Sequence, residues 1–278
     1  MATTGITAST DNGSPRPPAP WPARAGFIQF QVRPGEPAAN LALVRERLAG
    51  LELAGPAVLV LPELWGGGFA YQTMAQQAEE TPRLLAALAE EARRFGIYLA
   101  GSLPEAAVAD GGGPGFYNTM YLVGPAGVLG KYHKQQLFAP MGETEHFRSG
   151  ADPKPLSAPW GPVGSLVCFD LRFPVLAAAQ AAAGADLLLV AAQWPLARRD
   201  HWRVLLRARA IENQVFVVAA NTCGRIGNTD FAGSSAIIAP DGEVLAEAGL
   251  EEASRSVPLD LARLQEARRL FRTVGSRP

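Results

Sequence analysis

The sequence predicts an α/β protein in which mixed β-sheets are covered by helices on the outside. Predicted strands and helices alternate along the chain, as they do in α/β proteins. Several successive strands are nevertheless joined by tight turns, which connect antiparallel strands, so the sheets are expected to be mixed. The chain has 278 residues, of which 48% are hydrophobic, and no linker is apparent after residue 24, so we expect one domain.

The first 23 residues differ in composition from the rest of the chain. They are rich in Pro, Ser and Thr and lack the hydrophobic segment of a secretory signal. We therefore predict a disordered N-terminal extension over residues 1–23 and a single domain over residues 24–278. Regular structure is expected to begin at residues 26–32, where apolar and polar side chains alternate as in a strand.

Apolar patterns in the first half of the chain predict helices and strands in alternation. Residues 57–61 form a continuous run of Ala, Val and Leu, which is typical of a strand buried on both faces. Thr81 as N-cap and Pro82 at the first helical position predict a helix that starts at Thr81 and ends at Phe95. The other elements expected here are a helix over 38–54 and strands over 97–100, 117–123 and 128–132.

The second half begins with a long irregular segment over residues 135–161, and loops of this length in compact domains are usually functional. Residues 163–167 then predict a buried strand, and the alanine-rich segment behind Pro174 predicts a helix that ends at Gly184. The remaining expected elements are strands over 186–192 and 215–220, a helix over 197–214, a hairpin over 234–246 and a last helix over 259–271.

Three reactive side chains, those of Glu63, Lys134 and Cys168, each come shortly after a predicted strand. Side chains at the carboxyl ends of strands in open α/β sheets face the crevice where ligands bind. A helix N-terminus near a thiol lowers its pKa, and a cysteine nucleophile needs a base and a group that stabilises negative charge. Together the three predict one active site, although each alone also fits a surface carboxylate, a solvated lysine or a buried thiol.

Charge, hydropathy and cysteine content argue against several classes of function. A net charge of −1 argues against nucleic-acid binding, and no apolar run approaches the length of a membrane span. Three widely spaced histidines without a cysteine cluster argue against a zinc site. The two cysteines, Cys168 and Cys223, favour a reducing cytoplasm over a disulfide framework. A single disulfide between them is an open alternative, and it would abolish cysteine chemistry.

Three sequence blocks resemble the catalytic blocks of the nitrilase superfamily of carbon–nitrogen hydrolases, and they occur in that family's order. They are L-P-E-L-W around Glu63, K-Y-H-K-Q-Q-L-F around Lys134 and C-F-D-L-R-F-P from Cys168. The resemblance implies a four-layer α-β-β-α sandwich with two mixed β-sheets and a Glu-Lys-Cys triad. It also implies that Glu143, in the long loop, is a fourth catalytic residue, and that neither a metal nor an organic cofactor is needed.

The resemblance also implies a mechanism with a covalent intermediate. Glu63 acts as the general base, and the Cys168 thiolate attacks an amide carbonyl to form a thioester. Lys134 and the backbone N–H of Phe169 hold the oxyanion, and Glu143 orients Lys134 or the substrate.

Within the superfamily the chain most resembles the omega-amidase branch, through the segment A-A-Q-W-P-L-A-R-R-D-H-W-R-V-L-L-R-A-R-A-I-E-N-Q and the loop G-E-T-E-H-F-R-S-G. Phe169 and Asp170 stand where true nitrilases usually have Trp-Glu, which favours an amide substrate over a nitrile. The branch implies an amidase that converts a small carboxylate-bearing amide of the 2-oxoglutaramate or 2-oxosuccinamate type to the acid and ammonia. Hydrolysis of an N-carbamoyl amino acid or another aliphatic amide is the nearest alternative, and a catalytically silent binding protein is a distant one. The family also implies a homodimer or a larger homo-oligomer.

Two further residues each have a functional and a structural interpretation. Arg172 is a candidate to bind the substrate carboxylate through two parallel hydrogen bonds, or it forms a structural ion pair with Asp170 or another acid. Trp194 either lines the substrate pocket or belongs to the core.

Overall fold

The computed structural model describes residues 21–107, 115–271 and 273. Residues 1–20, most of the predicted disordered extension, lie outside the described residues, and residues 21–23 lie within them. The ring of Trp21 packs at 6.0 Å from that of Phe216, and the Ala23 N–H donates to the carbonyl oxygen of Pro56. The described chain therefore begins in contact with the domain.

The described residues form strands and helices that alternate along most of the chain. The strands are β1 (Arg24–Gln29), β2 (Ala57–Val60), β3 (Tyr98–Ala106), β4 (Phe116–Gly124), β5 (Gly127–His133), β6 (Leu156–Ala158), β7 (Gly161–Val167), β8 (Leu187–Ala192), β9 (Phe216–Asn221), β10 (Cys223–Ile226), β11 (Thr229–Ala232), β12 (Ala236–Ile238), β13 (Val244–Glu247) and β14 (Ala253–Pro258). The helices are α1 (Pro37–Ala49), α2 (Met74–Phe95), α3 (Glu143–His146), α4 (Pro174–Ala182), α5 (Arg199–Asn213) and α6 (Leu261–Leu270).

The strands form two six-stranded mixed sheets and, separately, a ribbon of β10 and β11. The strand order is β14-β1-β2-β3-β4-β5 in the first sheet and β13-β12-β9-β8-β7-β6 in the second. In the first sheet β1, β2 and β3 are parallel, and the remaining pairs are antiparallel. In the second sheet β7, β8 and β9 are parallel, and the outer pairs are antiparallel. The prediction of mixed sheets is confirmed.

The two sheets pack face to face, and alternate residues of their central strands fill the space between them. Val58 of the first sheet and Leu189 of the second belong to this central core. Their neighbours Leu59 and Leu188 point outward, where α1 and α2 cover the first sheet and α4 and α5 cover the second. Because both faces of these strands are covered, they need continuous apolar side chains, as the sequence shows. The four-layer α-β-β-α sandwich is thus confirmed.

Helix α2 begins earlier than its sequence signals predict. It starts at Met74, so Thr81 and Pro82 lie inside the helix and the predicted start at Thr81 is wrong. A proline inside a helix removes a hydrogen bond and costs about 3 kcal/mol. Packing of the added turns offsets this cost, because Met74 is buried against Leu64. The Thr81 hydroxyl also donates to the carbonyl oxygen of Pro104 at 2.7 Å, which fixes the helix on β3.

Strand β14 has no clear signal in the sequence. β14 pairs antiparallel with β1, from Arg24 opposite Pro258 to Gln29 opposite Ala253. It is an edge strand with one neighbour, and most of its residues are only partly buried. The continuous apolar run that marks a strand buried on both faces is therefore absent from β14.

Candidate active site

The ends of β2, β5 and β7 carry the three reactive residues that the sequence singles out. Glu63 follows β2 and Lys134 follows β5 in the first sheet, whereas Cys168 follows β7 in the second. The two sheets meet here, because the backbone N–H of Glu63 donates to the carbonyl oxygen of Ala192 at the end of β8. Glu63 and Cys168 line one cavity together with Glu143 from α3. The fold thus brings the predicted site residues to one place.

Lys134 is a fully buried ammonium that two buried carboxylates share. Its Nζ lies 2.7 Å from Oε1 of Glu63 and 2.6 Å from Oε1 of Glu143. The other oxygen of Glu143 accepts a hydrogen bond from the Phe138 N–H at 2.7 Å. Burial opposes the charge on Lys134, but the adjacent Glu63 and Glu143 outweigh burial and raise the pKa of Lys134. Lys134 therefore stays protonated and holds both carboxylates in place.

Cys168 has a left-handed backbone conformation, with φ of 48°, where β7 passes into a 3-10 turn over Cys168–Arg172. Such a conformation costs about 1–3 kcal/mol and occurs where the surrounding structure enforces it. Its Sγ lies 3.8 Å from the carbonyl oxygen of Gln193. Burial and the negative charge of Glu63 raise the pKa of the thiol well above its ordinary value, so the resting thiol is protonated. The predicted lowering of this pKa is wrong, since α4 begins only at Pro174 and burial dominates.

Asp170 is a buried carboxylate that joins the cysteine turn to the loop after β5. One of its oxygens accepts from the backbone N–H groups of Gln135 and Gln136 at 3.2 and 2.8 Å. The other accepts from the Val167 N–H at 3.0 Å and from the Tyr132 hydroxyl at 2.9 Å. Burial raises the pKa of Asp170 to about 6. These four bonds hold the segment that carries Lys134 against the segment that carries Cys168.

The cavity beside Cys168 has a volume of about 350 Å³. Such a volume suits a small organic molecule. Most of its wall is aromatic or apolar, formed by Phe69, Phe138, Met141, Phe169, Trp194 and Pro195. Besides Glu63, Glu143 and Cys168, the polar part of the lining consists of Gln193 and the basic side chains of Arg172, Arg198 and His201.

The carbon–nitrogen hydrolase family model matches residues 24–269, most of this chain. The chain belongs to the carbon–nitrogen hydrolase family. A 2-oxoglutaramate amidase from Bacillus subtilis (strain 168) is 36% identical over 244 residues, which cover 87% of this chain and 92% of that protein. The omega-amidase YafV of Escherichia coli (strain B / BL21-DE3) is 35% identical over 235 residues, which cover 84% of this chain and 88% of that protein. This carbon–nitrogen hydrolase therefore lies in the omega-amidase-like branch, as the sequence motifs predict.

A solved structure from Xanthomonas campestris extends the match to the fold. It is a CN-hydrolase superfamily protein with an arsenic adduct in the active site. The two chains superpose with a TM-score of 0.82 at 30% identity, over 90% of this chain and 94% of the other.

In this carbon–nitrogen hydrolase Arg172 contacts a ring and a histidine. Its guanidinium carbon lies 4.6 Å from the centroid of the Trp194 ring, and two of its nitrogens lie 3.3 Å from Nδ1 of His201. The alternative of an ion pair with Asp170 is wrong, because Asp170 is fully engaged by other donors. Among the described residues no carboxylate lies within ion-pair distance of Arg172.

Trp194 and Phe169 form parts of the cavity wall. Trp194 is almost fully buried, packs against Trp202 and also faces the cavity, so both of its predicted placements describe part of its environment. The ring of Phe169 packs at 5.0 Å from that of Phe138 and at 5.4 Å from that of Phe173. These aromatic contacts fix the residue next to Cys168.

Two residues at the site, Asn118 and Gln193, are not predicted from the sequence. Asn118 donates from Nδ2 to Oε1 of Glu63 at 2.8 Å. The backbone N–H of Gln193 donates to Oε2 of Glu63 at 3.0 Å, and the Gln193 side chain donates to the Glu63 carbonyl oxygen at 2.9 Å. The sequence does mark both positions, because each carries a polar amide side chain within or directly after an apolar strand.

The two cysteines are both free thiols, so the alternative of a disulfide between Cys168 and Cys223 is not realised. Across the described ranges, no group of three or more His, Cys, Asp or Glu residues is arranged to hold a metal ion. No helix in the described part of the chain is long and apolar enough to cross a membrane.

Proposed function

We propose that the protein hydrolyses a small amide that bears a carboxylate, of the 2-oxoglutaramate or 2-oxosuccinamate type, to the acid and ammonia. The observation that carries this proposal is the buried Lys134 ammonium shared by Glu63 and Glu143, beside a thiol that opens into a small cavity. Arg172 in the same cavity supports a negatively charged substrate. The similarity to a 2-oxoglutaramate amidase and an omega-amidase supports the same substrate class.

The first half of the reaction forms a thioester on Cys168. Because the resting thiol is protonated, a base must remove its proton as the sulfur attacks, and the Glu63 carboxylate serves as this base. The new C–S bond converts the amide carbonyl into a tetrahedral oxyanion, which Lys134 and the backbone N–H of Phe169 stabilise. Glu63 then gives its proton to the nitrogen, the C–N bond breaks and ammonia leaves.

The second half of the reaction releases the acid. Glu63 takes a proton from a water molecule, whose oxygen attacks the thioester carbonyl, and the same donors hold the second oxyanion. The C–S bond then breaks, and the sulfur recovers its proton from Glu63. The sum is amide plus water giving carboxylic acid plus ammonia, with no change in oxidation state. Glu143 keeps Lys134 oriented throughout, since it holds Nζ at 2.6 Å.

The direct test of this function is the intact mass of the protein after brief mixing with 2-oxoglutaramate. We expect an added mass equal to the acyl group, located on Cys168 by peptide mapping and absent from Cys168→Ala. Ammonia release from the unmodified protein is expected in parallel. An unmodified protein mass together with no ammonia would refute the proposal, and release of carbon dioxide from carbamoyl amino acids instead would point to the N-carbamoyl alternative.

Replacing Arg172 by alanine is expected to weaken binding of charged substrates selectively. A hydrogen bond to a charged group contributes about 1.5–3 kcal/mol, so KM for 2-oxoglutaramate should rise roughly 10- to 100-fold. KM for butyramide, which has no carboxylate, should stay close to that of the unmodified protein. Steady-state ammonia assays with both substrates check this, and an equal rise in both KM values would show that Arg172 is structural.

We also propose that the protein works in the cytoplasm as a homodimer or a larger homo-oligomer. Two free thiols support a reducing compartment. Exposed apolar side chains on the adjacent helices α4 and α5 support self-association, with Val175 65%, Val204 64% and Ile211 45% exposed. The mass in solution, measured by light scattering, tests the oligomeric state.

A further inference from the structure

The two carboxylate oxygens of Glu63 have different surroundings. Oε1 accepts from the Lys134 ammonium at 2.7 Å and from the Asn118 amide nitrogen at 2.8 Å. Among the described residues, Oε2 accepts one hydrogen bond, from the backbone N–H of Gln193 at 3.0 Å. Because Glu63 is fully buried, these donors define how each oxygen can react.

This difference decides which oxygen is the better base. A carboxylate oxygen offers about two lone pairs to hydrogen bonds, so the two donors at Oε1 occupy both. One of those donors is a cation, which further disfavours a proton at Oε1. Oε2 keeps a lone pair open, and its single donor is a neutral amide. The proton therefore has one favourable place on this carboxylate.

We propose that Oε2 of Glu63 is the atom that takes the Cys168 proton and passes it to the leaving ammonia, and that Asn118 is a positioning residue that reserves Oε1 for hydrogen bonding. The inference rests on the role of Glu63 as general base under the proposed function. Lys134 alone does not secure this arrangement, since its Nζ is shared between Glu63 and Glu143 and must also bind the oxyanion under the proposed function. The neutral amide of Asn118 is a second donor that holds Glu63 in place.

The placement of Asn118 fits this role. It is fully buried in β4, and its carbonyl oxygen accepts the backbone N–H of Lys134 at 2.9 Å. One residue thus contacts both the base and the lysine. Among the residues that the structure describes, its side-chain oxygen Oδ1 is buried without a hydrogen-bond partner. An unpaired buried carbonyl costs stability, which is expected of a residue that serves the site rather than the fold.

The test replaces Asn118 by leucine, which has a similar volume and no donor. We expect kcat to fall about 10- to 100-fold, the value for a lost hydrogen bond to a charged group, with KM little changed. We also expect the acid limb of the kcat/KM profile to move to higher pH by about one pH unit, because the ionised carboxylate loses a stabilising donor. Thr119→Val is the matched control: Thr119 is buried in the same strand, but its hydroxyl donates to Glu105 at 3.1 Å.

The inference is overturned if the acid limb of the kcat/KM profile lies at the same pH in Asn118→Leu as in Thr119→Val. Acylation of the unmodified protein at Cys168 tests the proposed function separately, so failure of one is distinguishable from failure of the other. If Asn118→Leu does not fold, Asn118→Asp replaces it, because a second carboxylate next to Glu63 repels negative charge there and must also move the acid limb to higher pH. An unmoved acid limb in Asn118→Asp would equally overturn the inference.

Discussion

Replacing Lys134 by methionine is expected to abolish turnover and to destabilise the protein at the same time. Loss of one donor to an oxyanion lowers the rate by about 10²- to 10³-fold, and Lys134 also holds the base. Removing one partner from a buried ion pair costs about 3–5 kcal/mol, because the remaining charge is left without compensation. Here two buried carboxylates, Glu63 and Glu143, would face each other without a cation.

The measurements are ammonia release and urea unfolding, and the chain offers a matched control. Lys131 precedes Lys134 in the same segment, but its side chain is half exposed and pairs with Glu105. Lys131→Met should change the free energy of unfolding by no more than about 1 kcal/mol. Adding Glu143→Gln to Lys134→Met should restore part of the stability, since one buried charge disappears, without restoring turnover. Substantial turnover by Lys134→Met would contradict the assigned role.

Replacing Asp170 by alanine is expected to be the second most damaging change. It leaves four donors without this acceptor, of which those of Tyr132 and Val167 are buried, and each unsatisfied buried group costs about 1–3 kcal/mol. Relief of a buried charge offsets part of this, so we expect a net loss of about 3–5 kcal/mol. Turnover should fall by at least about tenfold, since the Lys134 and Cys168 segments lose the carboxylate that joins them. Asp152→Ala is the control, because Asp152 is half exposed and its ion pair in the described part of the chain is with exposed Lys154.

The same carboxylate predicts a pH dependence of stability. Burial raises the pKa of Asp170 from 3.8 to about 6, so the folded state binds this proton more tightly than the unfolded state. The free energy of unfolding therefore falls as pH rises from about 4 to about 6, and the full cost, about 3 kcal/mol, is present above that window. Asp170→Asn removes this slope. The free energy of unfolding is measured by urea denaturation at several pH values. The same pH dependence in the unmodified protein and in Asp170→Asn would contradict the prediction.

Much of the catalytic geometry could be predicted from the sequence because it depends on strand ends. Glu63, Lys134 and Cys168 each follow a strand, and the carboxyl ends of strands in such sheets converge. The continuous apolar run at 57–61 likewise indicates burial on both faces, which the sandwich provides. These features are local in sequence, so composition and periodicity report them directly.

Other features depend on contacts between distant segments, which local sequence patterns do not specify. Thr81 and Pro82 predict a helix start, but α2 begins seven residues earlier, at Met74, which packs against Leu64. The roles of Asp170 and Asn118 arise only when β4, the loop after β5 and the cysteine turn come together. The pKa of Cys168 is raised for the same reason, since burial is a property of the assembled site.

The pairing of β1 with β14 has a consequence for biosynthesis. Strand β1 is the first of the described strands to be synthesised, whereas its outer neighbour β14, Ala253–Pro258, is the last of them. During most of translation the nascent β1 has one unprotected side, which is a surface for intermolecular pairing. Completion of the first sheet must therefore wait until β14 has left the ribosome, and chains truncated before residue 253 are expected to aggregate rather than accumulate as partial domains.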